Sequence, residues 1–302
     1  MLVTEVTAMR DAAPAPDADG WSASADPAAV RAMRERWARA RAAYERVEGA
    51  VAVLVPEGDY EVDARYDGFL ADLPDHRDDD LFDGEGVTGM HAVERILWAD
   101  AHPAAVVSFE RGQRGYVTAA FPANAAEATR FRDGLMARLV RDVTRMRDDF
   151  APLALDPSAA FRGVIGSMRE QAEKVDNAAS GEEESRYAQA TLLDMRSNLA
   201  GAARTWQAFR PWVLSRGGSA LAARIDDRLA AMRERYDATP GDAVPPVPDG
   251  YDPDMPSEAH RQTPFGALRE FVHAETDATR DGSLVSEMNA AADLLGIARL
   301  PR

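Results

Sequence analysis

Apolar residues recur along most of this chain at alternating spacings of three and four, the interval that gathers them on one face of an α-helix. The first such run opens at Asp26-Pro27, a good N-cap followed by a proline suited to the first helical position. It carries Val30, Met33, Trp37, Ala40, Tyr44, Val47 and Val51, a seam that ends at Pro56-Glu57-Gly58. Residues 59–87 are strongly acidic and are expected to form a long loop region. A shorter helix runs from Gly89 to about Asp100 and stops before His102-Pro103. For Ala105–Phe109 and Tyr116–Ala120 the pattern fits a small strand pair or irregular packing equally well. Asn124 and Glu127 make a capping box ahead of a further seam, Phe131, Leu135, Leu139, Val143, Met146 and Phe150.

The second half opens at Asp156-Pro157 with the same start signal, and Phe161, Ile165, Met168, Ala172 and Val175 line its first helix. After a turn at 176–182, a long helix is expected from about Glu183 to Val213 with Tyr187, Leu192, Met195, Leu199 and Trp206 on its apolar face. Gly217-Gly218 breaks it, and a helix over Ala220–Tyr236 leads to a Pro-rich crossover at 240–264. Two last helices span Phe265–Thr279 and Ser283–Leu295. The expected fold is all-α, with two packed helical bundles at 26–152 and 153–302 behind a disordered or loosely attached arm at 1–25. The repeated Asp-Pro start hints at an internal duplication.

Composition narrows the chemistry. The 302 residues are 46% hydrophobic and 28% charged, enough for one large or two modest globular domains. Cysteine is absent, so disulfides and thiolate metal sites are excluded, and any metal must be held by imidazole nitrogen and by carboxylate or carbonyl oxygen. The formal net charge of −16, with Lys174 the sole lysine, disfavours nucleic acid and anionic membrane surfaces and suits capture of a cation. No apolar run approaches the ~18 residues of a membrane span. The first twenty residues lack a basic-then-apolar export signal, so the chain is expected either to stay in the cytosol or to start after a removed leader.

His91 and Glu94 stand three apart, which lets an imidazole and a carboxylate converge on one ion from one helix face. The plainer alternative is a solvated helix face. Glu45 and Glu48 repeat the spacing beside the first seam, and Glu48 falls near the seam edge, where a charge is costly unless paired. Asp63 on its own is a turn residue, while Glu170 and Glu173 are two solvent-facing carboxylates unless one reaches toward the first bundle. The two-His zinc-protease helix, paired Glu-x-x-His motifs, a phosphate-cradling Gly-Lys-Ser/Thr loop and a Gly-x-Ser-x-Gly elbow are all missing. His76, His102, His260 and His273 read as surface or capping residues, and Trp37, Trp98, Trp206 and Trp212 as core.

Gly89, His91 and Glu94, followed by Ile96-Leu97-Trp98, resemble the Gly-x-His-x-x-Glu hallmark of the imelysin-like family, and within it the EfeO/EfeM-type proteins of bacterial iron uptake. The segments Ala42–Glu48 and Asp63-Ala64-Arg65 are similar to that type's paired-glutamate and aspartate segments. So are Gly181–Glu184, Tyr187, Asp194, Asn198, Gly201 and Phe209–Trp212 to its second-half signature. The resemblance covers residues 27–215. It departs from the type in an insertion before Gly181, in Thr191 where aspartate is expected, in the Pro-rich 240–264 stretch and in having no cupredoxin-like domain.

The resemblance implies a metal-binding protein, not an enzyme. His91, Glu94, Glu45, Glu48 and Asp63, completed by Glu170 or Glu173, would hold Fe3+ or Fe2+, with zinc as another acceptable ion, in a cleft between the bundles. It also implies a periplasmic or other extracytoplasmic setting, and an iron-transport membrane permease or a peroxidase as partner. Affinity should fall with pH, because each ligand binds metal deprotonated. The rival expectation is a zinc-dependent metallopeptidase of the imelysin type.

Overall fold

The computed structural model describes residues 1–299, and among these the regular structure is helical throughout, without strands. They form two compact units that interleave along the chain. The first comprises Met1–Tyr44, Val55–Leu153 and Ser185–Ala188; the second comprises Glu45–Leu54, Ala154–Glu184 and the described residues from Gln189 onward. The expected break near residue 152 is therefore only part of the division, since two segments belong to the half they do not follow in sequence.

The first unit begins with α1 (Leu2–Asp11), and Val6 and Met9 are fully buried where it packs on a later helix, Ala137–Phe150. This stretch was expected to be a disordered arm; its short apolar face is obscured in sequence by the Ala, Pro and Asp residues that follow. Next comes α2 (Pro27–Leu54), whose residues up to Tyr44 lie in this unit. The acidic 59–87 region is not one loop, because it holds most of α3 (Pro56–Asp63) and all of α4 (Tyr66–Asp72). Proline restarts the helix at Pro56, as its fixed φ allows at a first turn.

The helix carrying the sequence motif is α5 (Gly89–Leu97), and α6 (Ala104–Arg111) follows where a strand pair or irregular packing was the expectation. Then α7 (Ala125–Arg130), capped by Asn124, runs through a π-turn at Phe131–Met136 into α8 (Ala137–Phe150). Two residues of α2 fix α5. The Trp37 indole donates to the Met90 carbonyl at 3.0 Å, and the Arg34 guanidinium donates to the Leu97 carbonyl at 2.7 and 2.8 Å, satisfying an orphan acceptor at that helix end.

The second unit is built from α9 (Pro157–Asn177), α10 (Thr191–Ser215), α11 (Ser219–Asp237), the short α12 (Glu258–Arg261), α13 (Pro264–Thr276) and α14 (Leu284–Leu295). The last ten residues of α2 join them. Its core gathers the expected seam residues Phe161, Ile165, Met168, Leu192, Met195 and Trp206 with Ile225, Phe265 and Met288. α10 starts at Thr191, eight residues later than expected: Gln189 takes a left-handed φ of 53° that interrupts a helix, and ahead of α10 the Glu183 carboxylate accepts from the Thr191 hydroxyl at 2.9 Å and from the Gln189 amide.

Glycine sets how closely the end of α2 approaches its neighbours. A Cβ on Gly163 of α9 would lie 1.9 Å from the Gly49 carbonyl oxygen, and one on Gly201 of α10 would lie 2.2 Å from the Arg46 carbonyl oxygen. Mid-helix glycine is costly in isolation, so these two are spent on backbone contact that no larger residue permits.

Candidate metal site

In the first unit the site is built by the meeting of α3 and α5. Gly89 opens α5 at φ +82°, and a Cβ there would come within 2.8 Å of the Val62 carbonyl oxygen. The glycine of the motif thus lets the first turn of α5 rest on the last turn of α3, where Asp63 sits. Ahead of it, the buried Asp78 carboxylate accepts from the Val87 N–H at 2.8 Å and orders the approach to α5.

His91 and Glu94 are both completely buried. His91 Nδ1 lies 2.7 Å from Glu94 Oε2, and Glu94 Oε1 accepts from the backbone N–H groups of Tyr187 at 3.0 Å and Ala188 at 2.8 Å. A carboxylate so placed draws the imidazole proton to Nδ1 and orients the ring, the usual outer-shell arrangement for a metal-binding histidine. His91 Nε2 faces Asp63, 3.5 Å from its Oδ1. Two ligand atoms on one ion with bonds near 2.1 Å and a right angle between them are about 3 Å apart, close to the separation of this pair. Asp63 is held in turn by the guanidinium of Arg41, a fully buried side chain that also lies over the Tyr44 ring at 5.2 Å.

The segment that donates to Glu94 is itself anchored in the first unit. The Tyr187 hydroxyl donates to Glu110, whose other oxygen accepts from Arg95 Nε at 3.1 Å, and Arg95 stacks on Tyr66 at 3.9 Å. Burial pushes the Tyr187 phenol well above its usual range, with Glu110 adding to the shift, so it remains a donor. Burial holds the His102 imidazole below its usual range, and its Nε2 lies 2.8 Å from the Arg95 carbonyl, which can only accept. Arg186 completes the anchor with a 2.9 Å ion pair to Asp67.

The second unit holds an acidic cluster. Glu45 and Glu48, on the glycine-fitted end of α2, each place an oxygen 3.4 Å from the Lys174 ammonium, and Glu184 places one at 3.2 Å. Lys174 is only 4% exposed. A buried amide relay supports Glu48. The Tyr236 hydroxyl donates to Gln171 at 3.1 Å, Gln171 to Asn198 at 3.0 Å, and Asn198 to Glu48 Oε2 at 2.5 Å and to the Glu45 carbonyl at 2.9 Å.

The imelysin family model matches residues 2–272. The chain belongs to the imelysin family. No curated protein matches it. The match takes in α1 as well as both clusters, so it reaches further toward each terminus than the motifs at 27–215 that carried the resemblance.

The residues singled out by sequence are distributed over both units of this imelysin-family chain. His91, Glu94 and Asp63 lie together in the first unit, while Glu45 and Glu48 lie together in the second. Glu170 and Glu173 instead line a surface hollow of about 450 Å³ with Gly49, Ala52 and Arg162. Desolvation lifts the Glu170 carboxyl above its usual range, opposed by Lys174 and reinforced by Glu184 and Glu173. The second-half glutamate that joins Glu45 and Glu48 around Lys174 is Glu184. Sequence reasoning left out Arg41, Lys174, Glu184 and the Tyr187 and Ala188 amides. One signal was available: Lys174 is the sole lysine of an arginine-rich chain and directly precedes the seam residue Val175.

Both donor sets suit a hard or borderline cation. Imidazole with carboxylate fits iron, manganese or zinc, and an all-carboxylate cluster already occupied by an ammonium is chemically fit for positive charge.

Proposed function

We propose that this chain is a metal-binding protein of the iron-uptake type, one that captures ferric or ferrous iron for delivery and does not itself catalyse a reaction. The observation that carries this reading is His91, buried, with Nδ1 turned to Glu94 and Nε2 set 3.5 Å from the Asp63 carboxylate. His91 and Asp63 are the proposed first-unit ligands, and Glu94 is the residue that orients His91. Glu45, Glu48 and Glu184 are the proposed cation-binding carboxylates of the second unit. Glu170 and Glu173, on the wall of the surface hollow, are assigned no ligand role. Both oxygens of Glu94 are engaged, which speaks against its serving as the water-activating base of a zinc peptidase. An extracytoplasmic setting and an iron-transport permease or peroxidase as recipient belong to the same proposal. No helix among the described residues is long and apolar enough to cross a membrane, so delivery across one would need such a partner.

Titration of the purified chain with Fe(II) under anaerobic conditions, with Fe(III) supplied as its citrate chelate and with Zn(II) tests the proposal. Iron should remain bound through desalting. Absence of retained iron would overturn the reading, and zinc-dependent, chelator-sensitive cleavage of a peptide library would replace it with the peptidase.

A further inference from the structure

Residues 185–188 form a strap in the first unit, whose neighbours along the chain, Glu184 and Gln189, belong to the second. The neck of the strap is closed within the second unit, where the Glu183 carboxylate accepts from both the Gln189 amide and the Thr191 hydroxyl. At the tip, the backbone N–H groups of Tyr187 and Ala188 both donate to Glu94 Oε1, which leaves Oε2 to His91 Nδ1.

These two amides are placed by whatever anchors the strap, and Tyr187 is held at three points. Its N–H meets Glu94, its hydroxyl donates to Glu110 Oε1, and its ring lies 4.7 Å from that of His102. Arg95 closes the circuit, since its Nε donates to Glu110 Oε2 at 3.1 Å and it directly follows Glu94 on α5. Glu94, Tyr187, Glu110 and Arg95 thus form a ring of contacts in which each residue is at most 2% exposed. Phenylalanine would meet the packing at 187 equally well. A buried hydroxyl is costly unless partnered, and here its partner is a carboxylate, which makes the bond charge-assisted.

We propose that Tyr187 is a positioning residue for His91: its bond to Glu110 sets the strap amides on Glu94, and Glu94 so held keeps the imidazole proton on Nδ1 and leaves Nε2 free for a metal ion. Without the phenol the strap amides are free to move off Glu94 Oε1, the carboxylate is free to turn, and the ring proton is no longer confined to one nitrogen. Tyr187 touches no ion in this account and acts only through the strap. Its consequence for iron rests on the metal-binding reading, but the tautomer itself is a property of the metal-free chain.

The experiment records nitrogen NMR spectra of the histidine rings in metal-free protein, at a pH where the rings are neutral, for wild type, Tyr187→Phe and Met9→Ala. His91 is assigned by the signals lost in His91→Ala. Fe(II) affinity is measured on the same samples. Met9→Ala is the control for lost stability, because Met9 is fully buried on α1 of the same unit and has no part in the ring of contacts. Wild type should show His91 protonated at Nδ1. Tyr187→Phe should show both neutral tautomers and bind Fe(II) about tenfold more weakly, the lower end of the range for outer-shell changes. Met9→Ala should lower the Tm and leave the His91 tautomer as in wild type. Should Tyr187→Phe not fold, Glu110→Gln takes its place; its neutral amide weakens the bond from the phenol and should shift tautomer and affinity the same way by less. A wild-type ring protonated at Nε2, an unchanged tautomer in the folded variant, or an equal shift in Met9→Ala would overturn the proposal. A wild type that shows the Tyr187-dependent tautomer but retains no iron would instead overturn the metal-binding reading and leave this assignment standing.

Discussion

Gly163→Ala is expected to destabilise the second unit by about 3 kcal/mol or more, a large value for the addition of one methyl group. The new Cβ would stand 1.9 Å from the Gly49 carbonyl oxygen. That oxygen is helix backbone, so no side-chain rotation relieves the overlap; α2 and α9 would have to separate, loosening the core around Phe161 and Ile165 and shifting Glu45 and Glu48. In thermal unfolding followed by circular dichroism the Tm should fall by roughly 10 °C. Gly68→Ala is the control. Gly68 lies in α4 with nothing within 4 Å of its would-be Cβ, so alanine there should be neutral or stabilising by ~0.5–1 kcal/mol. A wild-type Tm for Gly163→Ala would show that the two helices do not cross at these glycines.

The second large effect separates ligand from orienting residue. His91→Ala removes the imidazole outright and should lower iron affinity by more than about a hundredfold, beyond the 10–100-fold range typical of outer-shell changes. Glu94→Gln should fall within that range, for a different reason. Its amide oxygen can still accept from the Tyr187 and Ala188 N–H groups, but its NH2 would then face His91 Nδ1, which must become the acceptor. The ring proton moves to Nε2 and blocks the nitrogen that faces Asp63. Equilibrium iron titration of the two variants reads both effects. Equal loss in the two would make Glu94 a ligand on the same footing as His91, and an unchanged Glu94→Gln would remove its orienting role.

Much of this was legible in the sequence, and what was not follows a physical pattern. The long helices α2, α9, α13 and α14 carry apolar seams with Asp, Ser or Pro start signals, and such local information fixes an element's type and nearly its ends. The His91 and Glu94 pairing is equally local, a three-residue spacing on one helix. Missed elements were short or masked by composition. In α1 the buried residues Val6 and Met9 precede an Ala/Pro/Asp stretch, and α3 and α4 lie in a run whose acidic side chains suggest solvent. The segment Ser185–Ala188 was assigned to a helix because Tyr187 fits a helical period. Its structure comes from bonds to Glu94 and Glu110 many residues away, which no local pattern encodes. The pairing of Glu45 and Glu48 with Lys174 and Glu184 depends in the same way on glycine contacts between distant helices.

The central claim is that His91 and Asp63 together bind iron, with Glu94 behind the histidine. A crystal structure of the iron-loaded chain, with anomalous differences collected on both sides of the iron edge, tests it most directly. The account expects an iron peak about 2.0–2.2 Å from His91 Nε2 and from an Asp63 oxygen, with Glu94 still bonded to Nδ1 and outside the coordination sphere. Iron bound without His91, or bound through Glu94 with the Nδ1 bond broken, would contradict it.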